Sequence, residues 1–162
     1  MLKEARSRTS VNFPVEFVIG DARKLDFPSE TFHACVTERT LIHIADVKSV
    51  IAEMVRVVKK NGIIVAIEGD IDSLIFDDQD AGFEQKIKRI LCKSHRNPRV
   101  GSRLWRYFKD NYLVDITVSR VTEVFLNFDM FRKAFELDEH LRLSGEEGVF
   151  SEKQLRDWVR VH

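Results

Sequence analysis

Little in this 162-residue chain is specialised by composition, and each scarcity excludes something. There are two cysteines, Cys35 and Cys92, far apart, with no CxxC spacing and no Cys/His pairing. That excludes a disulfide framework and a zinc ribbon. Both lie inside apolar patterns, so they read as buried thiols in a reducing compartment, and no metal site is expected. Three prolines and seven glycines, with no Gly/Ser stretch, leave no linker and no low-complexity segment. Net charge is zero, from 26 basic and 26 acidic residues, which argues against a general polyanion binder; no nucleic-acid partner is expected. No apolar run approaches the ~20 residues of a membrane span. The N-terminus has no apolar h-region, so the default location is cytoplasmic. GxSxG, HExxH and P-loop patterns are missing.

What is present is an ordered series of short apolar runs and one strong helix. "VEFVI" (15–19) is β-branched and ends at Gly20, the pattern of a buried strand. "FPSET" makes a turn, and "FHACVT" (32–37) is a second run. Asp46 is placed to cap a helix over 47–60 in which Val47, Val50, Ile51, Met54, Val55 and Val58 recur at three and four residues. "KKNG" is read as its stop, and "IIVAIEG" (63–69) as a third strand. Continuous apolar strands with an amphipathic helix between them imply a parallel sheet covered on both faces.

Residues 1–8 read as helical, as do the stretches around Phe83–Leu91 and Leu104–Phe108. Residues 113–128 have the β-branched and aromatic bias of a long strand. Helices are expected over 130–143 and 152–161, the last with a Ser151/Gln154 capping box.

In an open parallel sheet ligands sit at the carboxyl ends of the strands. That rule selects the loop Gly20-Asp21-Ala22 after the first run. It also selects Thr37, Glu38, Arg39 and His43 after the second. Taken in order, Gly20-Asp21-Ala22, Leu25, Phe27, Phe32, Glu38-Arg39, Leu41, His43, Asp46, Glu53, Arg56-Val57, Lys59 and Gly62 resemble the middle of class I S-adenosylmethionine-dependent methyltransferases. The nearest likeness is to the ubiquinone/menaquinone-biosynthesis-like, methyltransferase type 11 group. It covers roughly residues 1–75, and a looser likeness runs to the end.

The resemblance implies S-adenosyl-L-methionine as cofactor and a small molecule as methyl acceptor. It implies that Asp21 hydrogen-bonds the adenine amine and that Ala22 lines the ring. Thr37, Glu38 and Arg39 would face the methionine end, with His43 as candidate general base. It implies an α/β, Rossmann-like methyltransferase fold, mostly parallel, with flanking helices. One partial domain spans 1–162: a cofactor-side core over 1–75, then substrate-side and C-terminal elements over 76–162.

Several family parts have no counterpart. The glycine-rich GxGxG loop and the acidic residue that holds the ribose are missing, and so are the family's strands 1, 2 and 7. "MLKEAR" resembles the start of the helix that follows that acidic residue, so Met1 reads as an internal methionine of a longer ancestor. His33 and Asn61 stand where the family usually has Asp and Pro. Hence the alternative function: a non-catalytic fragment or pseudoenzyme acting as an interaction module. Without neighbours, run 15–19 is expected either to close against 32–37 or to leave sheet edges through which copies self-associate.

Each candidate also has a plainer reading. Asp21 also suits a turn, Glu38 and Arg39 a surface ion pair, and His43 a half-buried structural position. The Asp70–Asp80 acids lack calcium-loop ligand spacing and read as a solvated loop. "KSHRNPRVGSRLWRY" (93–107) reads as an amphipathic helix with a wet face, and by resemblance lies on the substrate side.

Overall fold

In the computed structural model, which describes residues 2–9, 14–76 and 81–143, two parallel strands form the centre. Helix α1 (Leu2–Arg8) comes first, then strand β1 (Phe32–Glu38). A short 3-10 turn (Leu41–His43) leads to helix α2 (Val47–Val57) and strand β2 (Val58–Ile67). Helices α3 (Ala81–Ser94), α4 (Val100–Asp110), α5 (Phe128–Ala134) and α6 (Leu137–Leu143) follow.

The β1–β2 ladder pairs Cys35 with Ile64, Val36 with Val65 and Glu38 with Ile67. The parallel α/β core therefore stands as the apolar runs imply. Asp46 caps α2, accepting from the Ser49 amide at 3.1 Å and its hydroxyl at 2.6 Å.

The helix ends three residues before residue 60. Val58 already pairs with Phe32, and a register irregularity between Phe32 and Ala34 takes up the "KKNG" segment inside β2. Gly62 sits at that irregularity for a steric reason. A Cβ there would lie 2.5 Å from Val58 Cγ1, 2.7 Å from the His33 carbonyl oxygen and 2.9 Å from the Lys59 carbonyl oxygen.

One face of the sheet is covered. Cys35, Ile64 and Ala66 pack on a core built by Val47, Val50, Ile51 and Met54 of α2, Ile87, Ile90 and Leu91 of α3, and Leu41, Phe131 and Leu137. Around Phe131 the rings of Phe76, Phe125 and Phe135 lie with centroids 5.1, 5.9 and 4.6 Å away, which anchors α5. The other face differs from the expected double cover. Val36 and Ile63 are 62% and 64% exposed, and Val65 and Ile67 beside them are open as well.

Two expected strands are corrected. Residues 14–20 run without a ladder partner, with Ile19 86% exposed, and they do not close against β1. Residues 113–126 also lack a ladder, with Val121 89% exposed. A strand's backbone donors and acceptors need a neighbouring edge, and β-branched composition does not provide one. The single helix expected over 130–143 is two, broken where Glu136 takes φ 46°. Both thiols are unpaired and half-buried rather than fully enclosed; burial pushes each up from its ordinary range. No helix among the described residues is long and apolar enough to cross a membrane. The 152–161 helix, its capping box and Asp77–Asp80 lie outside the described residues.

Candidate functional site

Two loops stand at the carboxyl side of the apolar runs, and each is tied down by a glutamate. The first, residues 20–29, is held by α2. Glu53 accepts from the Leu25 amide at 2.8 Å and from Arg56 at 2.7 and 2.8 Å. Arg56 also donates to the carbonyl oxygens of Leu25 (2.9 Å) and Phe27 (2.8 Å). One guanidinium fork thus fixes two points of the loop. The Arg56 hydrogen bonds, with the Leu25 amide second, draw the Glu53 carboxyl down to about 2.

Within this loop Asp21 closes a tight turn. Its carboxylate accepts from the Arg23 amide at 2.9 Å and from the Arg23 guanidinium at 2.7, 3.0 and 3.2 Å. The Lys24 amide donates to the Asp21 carbonyl oxygen at 2.9 Å. Arg23 draws the Asp21 carboxyl down to about 2, so it is ionised throughout the physiological range. Both partners stay about half exposed, and Ala22 behind them packs on the core.

The second loop, residues 38–44, is held by Glu68, one residue past β2. Its Oε1 accepts from the amides of Thr40 (2.9 Å) and Leu41 (2.8 Å), and its Oε2 from Ile42 at 3.3 Å. A carboxylate on three successive amides caps the 3-10 turn as it would a helix start. The Arg39 amide adds a bond to the Ile67 carbonyl oxygen at 2.9 Å, and Arg39 takes φ 45° to do so. Thr37 is half-buried. Glu38 and Arg39 are exposed and touch loosely at 3.5 Å, a contact of the plain surface kind. His43 is exposed, and its ring stands 5.4 Å from that of His95.

Glu68 was not among the residues the sequence singled out. The rule that selected the other two strand ends, applied to the third, points at it. Its neighbour Gly69 lies against the start of α4: a Cβ on Gly101 would stand 3.0 Å from the Gly69 carbonyl oxygen. Asp70 accepts from the Ser102 amide at 2.9 Å, and Arg99 pairs with Asp72 at 3.0 Å. Part of the basic 93–107 segment is thereby brought to the carboxyl end of β2.

At the first loop both oxygens of the Asp21 carboxylate are engaged by Arg23, and the small residue Ala22 stands beside it. The amides of the second loop are taken by Glu68. No two of the seven glycines stand two apart, so the chain has no glycine-rich turn for a ribose or an amino-acid end. Among the described residues no three His, Cys, Asp or Glu side chains converge as metal ligands.

Residues 1–66 match the family model described as a methyltransferase domain. The chain is also similar to an "Uncharacterized 37.1 kDa protein in transposon TN4556" of Streptomyces fradiae, at 35% identity over 127 residues. The alignment takes in 77% of this chain and 36% of that protein, so the chain spans about a third of the relative's length. No solved structure matches.

Proposed function

We propose that the chain, whose residues 1–66 match a methyltransferase domain, is a class I S-adenosylmethionine-dependent methyltransferase that forms the adenine-side and acceptor-side loops of a site that methylates a small molecule. The observation that carries this reading is the Glu68-anchored loop at the carboxyl ends of β1 and β2, together with the Asp21 loop that Glu53 and Arg56 hold ahead of β1. S-adenosylmethionine, when bound, supplies the methyl group. Asp21 accepts from the adenine amine and Ala22 lines the ring. Thr37, Glu38 and Arg39 face the methionine end. Catalysis then rests on proximity and orientation, which an in-line methyl transfer can use without a dedicated base.

Because only the adenine side is supplied, the isolated chain binds weakly. Titration calorimetry with S-adenosylmethionine is expected to give a Kd no better than roughly 1 mM, about −4 kcal/mol. Micromolar binding would overturn this and require a different set of contacts. The second reading, a non-catalytic fragment acting as an interaction module, draws support from Arg23 occupying the Asp21 carboxylate. It predicts no cofactor heat at any reachable concentration. In either reading, copies of the chain meet through the open face of Val36, Ile63, Val65 and Ile67.

A further inference from the structure

Three of the five histidines form a column that the methyl-transfer reading does not use. His95, just past α3, stands between His43 of the 3-10 turn and His140 of α6. Its ring centroid is 5.4 Å from that of His43 and 5.3 Å from that of His140. His95 Nδ1 lies 2.7 Å from the Leu91 carbonyl oxygen, which assigns the proton to Nδ1. His140 Nδ1 is enclosed and has no hydrogen-bond partner. A neutral His140 with its proton on Nε2 leaves only a lone pair there. Charging the ring would bury an N–H with no acceptor. It would also set a cation against His95, with His43 beyond it.

Helix α6 has seven residues, too few to persist without packing, and it is seated by Leu137 and Leu141 on the core. We propose that His140, packed beside His95, is a pH-operated latch: α6 stays docked on the core it shares with Leu41 while the His140 ring is neutral and is released when that ring charges.

The groups facing His140 come from each packed element. His95 at the end of α3 and His43 from the turn oppose its charge, while Glu136 and Glu139 beside it favour it. Glu139 is engaged by Arg142 at 2.6 and 2.8 Å. On α5, Arg132 is turned to Asp138 at 2.7 Å. Burial, the largest cause, and then His95 hold the His140 ring below its ordinary value. The released state therefore binds more protons than the docked one. Docking weakens as pH falls through the ordinary histidine range, about 6.5, and the loss levels off below the docked value.

The test is made on the full chain, by NMR titration of the histidine rings together with hydrogen exchange of 137–143 and 41–44 at about pH 8 and about pH 5. His140 is expected to titrate below the ordinary value. Exchange in both segments, corrected for its intrinsic pH dependence, should rise severalfold at the lower pH. His140→Phe should remove most of that rise. A His140 that titrates at or above the ordinary value overturns the latch, as does equal exchange at the two pH values. If His140→Phe fails to fold, the titration and exchange of the unaltered chain decide.

Discussion

Replacing Glu68 with alanine tests how the second loop keeps its shape. The carboxylate serves three amides, but their surroundings differ. Thr40 is exposed, so its amide finds water when the acceptor is removed. Leu41 is fully buried and Ile42 nearly so, and the Leu41 amide makes the shortest of the three bonds, 2.8 Å. A buried donor left without an acceptor costs about 1–3 kcal/mol, and the weaker Ile42 bond adds a fraction of that, so the total is about 2–3 kcal/mol. In a chain of this size that lowers Tm by roughly 5–10 °C. Glu68→Gln keeps one acceptor oxygen and loses the charge, so about half the effect is expected. Urea or thermal unfolding of the three proteins measures it, and hydrogen exchange at Leu41 localises it. An alanine variant within about 0.5 kcal/mol of the parent, with Leu41 equally protected, would refute the reasoning.

Other substitutions probe other parts of the account. Gly62→Ala places a methyl against two carbonyl oxygens and Val58; unfolding measurements should show a loss of about 1–3 kcal/mol. Ile51→Ala empties a fully buried site in α2 and should cost about 2–5 kcal/mol in the same assay. Asp21 and Glu53 both have folded-state values near 2, below those of the unfolded chain. Their contribution is complete above about pH 4 and is lost as pH falls toward 2, so a urea midpoint series in Glu53→Gln should fall less steeply there than in the parent. Val65→Lys charges the open sheet face without touching the core; sedimentation should show less self-association at unchanged helix content.

The parallel pair and α2 were legible because their signals are local. Each strand is a continuous apolar run, and the Val47–Met54 stripe has one period. Runs 15–19 and 113–128 carry the same composition, but a strand is a relation between two edges, and composition does not say whether the second edge is there. The early end of α2 follows from Val58 pairing with Phe32, a contact across 26 residues. The loops that carry Asp21 and Glu38 were located by the strand-end rule. What holds them was not, because Glu68 and Glu53 serve backbone amides 26 to 28 residues upstream that no side-chain motif reports.

The measurement that bears most directly on the central claim is an amide chemical-shift titration of the isotope-labelled chain with S-adenosylmethionine. Weak binding is no obstacle, since shifts move progressively at millimolar concentrations. The account predicts changes gathered at Gly20–Arg23 and Thr37–Arg39, with those at Gly20–Arg23 lost in Asp21→Ala. Changes gathered elsewhere on the chain, or the same changes in Asp21→Ala, would contradict it.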